Sequence, residues 1–311
     1  MARGPNLSFS QSGSGDLIAD RRFAYAEGAL VDEDWPTARD LYVQTLELVP
    51  SWPPAQFGLA RALLGLELRD DAINLFQAVA ASDTDDRLGA RAWLARLGAA
   101  GGAMATGYVA ALFDEYAPRF EQHLTQSLAY CAPTLIADAL VEVAGHRIFR
   151  EGLDLGCGTG LMAEAIKGRV LRLAGADLSE KMLEIARRSG LYDRLEVGEC
   201  AAWMAGEAEN STDLVLAADV FCYIEDLLPV FLQAHRVLGD DGLFAFTIQS
   251  HSGSGVHVGD DLRVHHSLDF ITRISAQAGF CILYQRDVSA RQDRGAPVPG
   301  GLFVLARRRE A

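Results

Sequence analysis

The chain has 311 residues, half of them apolar, and carries a net charge of −14 with a pI near 4.9. That length suffices for two domains, and so acidic a surface repels phosphate backbones, which argues against nucleic acid as partner or substrate. No run nears the roughly eighteen consecutive apolar residues of a membrane helix, so no membrane partner is expected. The five cysteines, Cys131, Cys157, Cys200, Cys222 and Cys281, are scattered and form no C-x-x-C pair. They suggest neither a zinc site nor a disulfide framework, no metal is expected, and a reducing cytoplasm is the natural compartment.

The first stretch, "MARGPNLSFSQSGSGDL", lacks an apolar signal region and reads as a flexible leader over 1–17. Residues 18–98 then show a spacing of 34: Ala38 and Ala72, Tyr42 and Phe76, Tyr25 and Leu59. A small residue followed four positions later by an aromatic puts both on one helical face and lets helices approach closely. Trp93 continues the series, and Pro50 stands where a second helix should stop. The pattern resembles tetratricopeptide repeats, two copies over 20–84 with a capping helix over 85–98; it also fits an ordinary pair of amphipathic helical hairpins. As repeats, these helices would offer a small concave surface to a peptide or protein partner. "GAAGGAMATG" at 98–107 marks a boundary, with a linker over 99–107.

Residues 108–311 form the second expected domain, with pre-sheet helices over 108–145. "YVAALFDEYAPRFEQHL" at 108–124 carries Tyr108, Leu112, Phe113, Tyr116 and Phe120 at helical spacing. From about 150, strands and helices alternate: "REGLDL", a helix from "LMAEAIKGR", "VLRLAGADLS", the helix "EKMLEIARRSG", "RLEVGEC", "TDLVLAAD" and the helix "LLPVFLQAHRVL". A "GDDG" turn at 239–242 leads into "LFAFTIQ", and two closing strands follow, "FCILYQRDVS" and "GLFVLARR". Such alternation predicts an α/β parallel sheet covered on both faces, with ligands beyond the carboxyl ends of its strands. The C-terminal Arg307, Arg308 and Arg309 read as a solvated end.

The loop after the first of these strands is "GLDLGCGTGL" at 152–161. A dinucleotide fingerprint starting at Gly156 needs glycine or alanine at position 161, where Leu161 stands, and a P-loop needs a lysine that is absent. What remains is Asp154 followed by alternating Gly156, Gly158 and Gly160. A carboxylate there repels a pyrophosphate but suits a ligand bearing an ammonium and a sulfonium, and the glycines let the backbone approach it closely.

This loop resembles motif I of the class I S-adenosylmethionine-dependent methyltransferases. "GADLSEKMLEIAR", "VGEC", "AADVFCYIEDL", "HHSLDFI" and "RGAPVPGGLFVLAR" extend the likeness to a bacterial family with N-terminal tetratricopeptide repeats. The resemblance implies a Rossmann-like seven-stranded sheet, its last strand antiparallel, preceded by an all-α tetratricopeptide-like domain. It implies S-adenosylmethionine as cofactor, with Asp154, Gly156, Cys157, Gly158 and Gly160 in the loop. Asp177 would take the ribose hydroxyls beside Leu178, Met182 would pack on adenine, and Glu199 would accept from its amino group near Cys200. Ala218 and Asp219 would line the place where methyl meets acceptor. Tyr108 and Tyr116 would belong to a helix closing over the cofactor. Where the family has a basic residue in the segment "LAYCAP", this chain has Cys131.

For the chemistry, Asp219 and Tyr223 stand best for a proton-accepting role, with His251, His257, His265 and His266 as further candidates; Asp219 equally suits orienting the cofactor or capping a helix. The implied activity is methyl transfer to a small molecule or protein. The alternative is a repeat-based interaction module whose methyltransferase domain binds cofactor without catalysis.

Overall fold

The computed structural model describes residues 13–99, 104–120, 129–293 and 295–308. The chain divides into two units, Met1–Val109 with Asp260–Leu262, and Ala110–Gly259 with Arg263–Ala311. Among the described residues, no helix is long and apolar enough to cross a membrane.

The first unit is helical: α1 (Leu17–Val31), α2 (Trp35–Leu48), α3 (Pro53–Gly65), α4 (Arg69–Ser82) and α5 (Ala90–Arg96). Asp16 caps α1 by accepting from the N–H groups of Ile18 and Ala19, so Leu17 is already helical and the expected leader ends one residue earlier. Residues 1–12 of that leader lie outside the described residues. Helices α2 and α4 begin and end 34 residues apart, and Ala38, Tyr42, Ala72 and Phe76 are all fully buried. The alanines leave room for the aromatic rings to fill the space between helices. Trp93 stacks on Phe76 with centroids 5.5 Å apart, carrying the same core into α5. Tyr25 departs from the pattern, pointing to solvent where Leu59 is inside. Helix α6 (Thr106–Tyr116) starts within the expected linker, whose residues 100–103 are not described.

The second unit is built on a seven-stranded sheet. Its strands are β1 (Phe149–Leu155), β2 (Val170–Asp177), β3 (Arg194–Val197), β4 (Thr212–Ala217), β5 (Leu238–Gln249), β6 (Phe280–Val288) and β7 (Gly300–Arg307). The order is β3-β2-β1-β4-β5-β7-β6; the first five run parallel, and β7 is antiparallel to both β5 and β6. The sheet, including its antiparallel last strand, is thus the one expected. Because side chains alternate along a strand, β5 sends Phe244 and Phe246 to one face and Leu243 and Ala245 to the other. The first face is an aromatic core with Phe221, Phe231, Phe280 and Phe303. The second packs Leu214, Leu216, Leu302 and Val304 on Ile136 and Leu140 of α7 (Ala132–Ala144) and on Met162 of α8 (Leu161–Ala165).

One local reading is corrected. The "GDDG" segment lies inside β5 and not before it: Thr212 pairs with Leu238 while Leu214 pairs with Leu243, so the register with β4 breaks there. The chain folds back so tightly there that a Cβ on Gly242 would stand 2.7 Å from Leu238. After β5, Val256–Val258 and Val264–His266 form a small antiparallel hairpin.

Candidate functional site

Strand order reverses at β1, with β2 on one side and β4 on the other, and the glycine loop leaves the carboxyl end of that strand. Open α/β sheets bind ligands at such a switch point. Gly156, Gly158 and Gly160 have φ of +58°, +55° and +99°. A side chain there would be strained, so alternate glycines are what the loop's backbone demands. The Cys157 N–H donates to Ala176 O at 2.9 Å and the Gly160 N–H to Cys157 O at 3.0 Å, folding the loop back over β2.

Asp177 ends β2 beside the loop and is nearly buried. One carboxylate oxygen accepts the Gly158 N–H at 2.9 Å and the other the Ser179 N–H at 2.8 Å. Burial raises its carboxyl above the usual range, against those two bonds, and Asp114 adds to the rise. Ser179 caps α9 (Glu180–Ser189) by accepting from the Met182 N–H, and its hydroxyl donates to Asp114 of α6 at 2.5 Å. Asp114 is therefore the link between the pre-sheet helix and the end of β2. Sequence reading missed it because nothing in its spacing sets it apart from a solvated helical acid.

Among the other expected cofactor residues, Leu178 is half-buried and Met182, Cys157 and Cys200 are buried. Burial pushes both thiols up, so they stay protonated. Glu199 caps the short helix α10 (Cys200–Ala205), accepting from the Ala202 N–H at 2.8 Å. Asp154 turns inward: it is 1% exposed and accepts the Tyr192 hydroxyl at 2.6 Å. Burial pushes its carboxyl up to about 7, the Tyr192 bond opposing and Asp177 reinforcing the shift. Thr159, also in the loop, keeps its Oγ1 buried with no hydrogen-bond partner among the described residues. An orphaned polar atom of this kind is costly unless a ligand or water meets it.

Aromatic rings of α6 and the turn after it stand over the loop. The Phe120 ring lies 3.7 Å from where a Gly158 Cβ would be. Tyr116 and Phe113 meet it edge-on, and Phe113 also meets Tyr223, with centroids 5.2 Å apart. Tyr108, from the same helix, packs its ring on Gly89 instead, whose left-handed backbone carries no Cβ to obstruct it.

Asp219 follows β4 with φ +58°, an uncommon conformation for a residue with a side chain. The turn is held by its N–H, which donates to Thr247 Oγ1 at 2.9 Å, and by Cys222 Sγ on its carbonyl at 3.3 Å. Its carboxylate lies between two arginines, 3.5 Å from Arg263 and 3.7 Å from Arg291. Arg291 also donates to Gln249 Oε1 at 3.0 Å, which leaves the Gln249 amide to donate to His265 Nε2 at 2.9 Å. Arg263 stands over the Tyr223 ring, 5.0 Å from its centroid, and burial holds the Tyr223 phenol well above its usual pKa. Nearby, Tyr130 reaches the carbonyl of Ala218 at 3.4 Å, and Cys131 bonds the carbonyls of Ser289 and Ala290. Neither arginine was found from the sequence, since both act through contacts across long sequence separations.

His266 is fully buried, with its Nε2 3.0 Å from Ile224 O and, among the described residues, no partner on Nδ1. Burial lowers its pKa to about 4, so it is a neutral core residue. His251, His257 and His265 lie in a row, with centroids 6.0 and 6.3 Å apart.

Residues 153–246, which span the loop, Asp177, Glu199 and Asp219, match the family model described as a methyltransferase domain. This segment is a methyltransferase domain. Over 106 residues the chain is 36% identical to methyltransferase-like protein 27 of Homo sapiens, covering 33% of this chain and 43% of the relative. Over 90 residues it is 36% identical to the ubiquinone biosynthesis O-methyltransferase of Dechloromonas aromatica, covering 27% and 37%. The chain thus spans less than half the length of these curated relatives. Among solved structures, it resembles the 1,6-didemethyltoxoflavin-N1-methyltransferase of Burkholderia thailandensis, crystallised with S-adenosylhomocysteine and 1,6-didemethyltoxoflavin. The TM-score is 0.52 at 17% identity over 68% of this chain and 93% of that one. The [4+2]-cyclase SpnF has a TM-score of 0.55 at 17% identity over 67% and 98%. At such identities the methyltransferase domain shares their fold, and the reaction has to be argued from its own site.

Proposed function

We propose that the chain is an S-adenosylmethionine-dependent methyltransferase of a small-molecule or protein acceptor. The observation that carries this reading is the juxtaposition of three left-handed glycines with the inward-facing Asp177 at the switch point of a methyltransferase domain. The residues present fit the cofactor: Thr159 Oγ1 is a buried polar atom without a hydrogen-bond partner among the described residues, and Gly156, Gly158 and Gly160 carry no Cβ to hold a ligand off. When bound, S-adenosylmethionine supplies a methyl group activated by its sulfonium.

On this reading Gly156, Cys157, Gly158 and Gly160 cradle the cofactor, with Asp154 beneath them. Asp177 takes the ribose hydroxyls beside Leu178, and Met182 and Cys200 wall the adenine. Glu199 meets the adenine amino group, Ala218 lines the far side, and Tyr116 with Phe120 excludes water from above. Tyr108 is left out, because its ring is committed to Gly89. Asp219, already paired with two arginines, orients the acceptor side. Tyr223, held as a phenol, serves there as a hydrogen-bond donor. The helices over 17–96 are tetratricopeptide-like and serve a protein or peptide partner in the cytoplasm.

Calorimetric titration with S-adenosylmethionine, S-adenosylhomocysteine and NAD, on the wild type and on Asp177→Asn, tests the reading. Binding of the first two, lost in the variant, supports it; a folded wild type that binds neither sinks it. Removing residues 1–98 then separates the acceptors, since only transfer to a protein should depend on the helices.

A further inference from the structure

Tyr192 lies in the turn between α9 and β3 and belongs to no motif, yet it touches both ends of the glycine loop. Its hydroxyl donates to Asp154, just before the loop, at 2.6 Å. The backbone N–H of Ala163, just after the loop in α8, faces the same oxygen and opposes the rise that burial imposes on this phenol. Its ring rests where a Cβ on Gly160 would be 3.2 Å away and one on Gly175 only 2.8 Å away. A Cβ at Gly175 would displace the ring and one at Gly160 would crowd it.

We propose that Tyr192 is a positioning residue of the donor site, a staple that fixes the glycine loop from below and favours the ionised Asp154 carboxylate. The inference rests on the cofactor reading above. Asp154 faces Asp177 on β2, Cys157 in the loop, Cys200 at the start of α10, Tyr130, and Tyr192 itself, all of them acids or neutral groups. The Tyr192 hydroxyl is the side-chain hydrogen bond that favours the charged form. In so dry a place one carboxylate acts strongly on a cationic ligand, and a loop fixed in advance loses less freedom when the ligand binds.

The sign follows from the raised carboxyl. Asp154 is protonated below about 7 and charged above it, so affinity for the cationic S-adenosylmethionine should rise with pH through neutrality. Taking the hydroxyl away moves that rise to higher pH.

The test is calorimetric titration of the full chain with S-adenosylmethionine between pH 5.5 and 8.5, on wild type, Tyr192→Phe, Asp154→Asn and the double variant. Tyr192→Phe should bind about tenfold more weakly at pH 7, the size of one hydrogen bond to a charged group, with its pH midpoint shifted upward. Asp154→Asn should flatten the pH dependence, and Tyr192→Phe should then add little. A Tyr192→Phe variant with wild-type affinity and pH profile, or one weakened equally at every pH, overturns the proposal. Should that variant fail to fold, Gly175→Ala, whose Cβ would stand 2.8 Å from the Tyr192 ring, decides: an upward shift of the pH midpoint supports the staple and an unchanged midpoint refutes it. Absence of binding to the wild type at any pH would instead remove the cofactor reading, so the two failures are distinguishable.

Discussion

Gly158→Ala separates what the loop needs in order to fold from what it needs in order to bind. The backbone sits at φ +55°, so an alanine there carries the left-handed penalty, about 1–2 kcal/mol. Replacing glycine also stiffens the unfolded chain, which returns about 0.4–1 kcal/mol. Sterically the methyl is tolerated, because its nearest neighbours are Phe120 ring atoms at 3.7 and 3.9 Å, ordinary contact distances. The net loss of stability should therefore be about 1 kcal/mol, a small part of a domain's total. Gly156→Ala differs, since its Cβ would stand 2.6 Å from Val220 and force that side chain aside. Binding is another matter. On the cofactor reading the donor rests against this stretch of backbone, so the methyl of Gly158→Ala should hold it off and affinity should fall at least a hundredfold, about 2.7 kcal/mol. Urea unfolding gives the first quantity and calorimetric titration with S-adenosylmethionine the second. Affinity within threefold of wild type would refute the placement of the donor against Gly158.

Other expectations follow from single contacts. Asp114→Ala removes the bond to Ser179 and should speed amide exchange in 106–116 while weakening donor affinity; unchanged exchange would show that α6 is held by its rings alone. Gly58→Ala would put a Cβ 2.3 Å from the buried Tyr42 ring and should destabilise the helical unit by about 1–3 kcal/mol, read as a lower Tm. Tyr223→Phe should lower turnover without changing donor affinity, and equal loss in both would place the phenol on the wrong side of the site. His266, with a folded pKa near 4 against about 6.5 unfolded, stabilises the neutral form. Its contribution is present above about 6.5 and falls by about 3 kcal/mol as pH drops toward 4. Urea unfolding of His266→Gln at pH 4.5 and 6.5 should show that this part of the pH dependence is gone.

What the sequence made legible was whatever lies along it in short range. The glycine loop is readable because left-handed backbone permits so few residues, and the sheet because its strands alternate with helices at regular intervals. The helical pairs were readable from Ala38 and Tyr42 recurring as Ala72 and Phe76, all four of which prove buried. Illegible were the partners that meet across the fold. Asp219 reads as a free carboxylate until Arg263 and Arg291 arrive from 44 and 72 positions further on. Asp114 looks like any helical acid until it receives the Ser179 hydroxyl. The "GDDG" segment has the composition of a turn, and only pairing with β4 reveals that it interrupts a strand already begun at Leu238. Composition reports local backbone preference, whereas these features depend on which strand happens to lie alongside.

The buried acids bring these threads together. Asp154 and Asp177 occupy the carboxyl ends of neighbouring strands, both nearly inaccessible and both with carboxyl groups raised by burial. Left alone, such a pair opposes folding as pH rises, because the unfolded chain ionises them freely while the folded one resists. The protein answers with directed donors: Tyr192 on Asp154, and the N–H groups of Gly158 and Ser179 on Asp177. Each donor also fixes a piece of the glycine loop or the turn that follows β2, so the groups that make the charges tolerable are the ones that shape the cradle. A cationic ligand relieves what remains of the repulsion. The stability that ligand confers should accordingly grow with pH, and more steeply than for an uncharged thioether such as S-adenosylhomocysteine, which lacks the sulfonium. Thermal unfolding with each ligand at pH 6 and pH 8 compares the two. A gap between them that does not widen would mean that the acids serve loop geometry alone and contribute nothing through their charge.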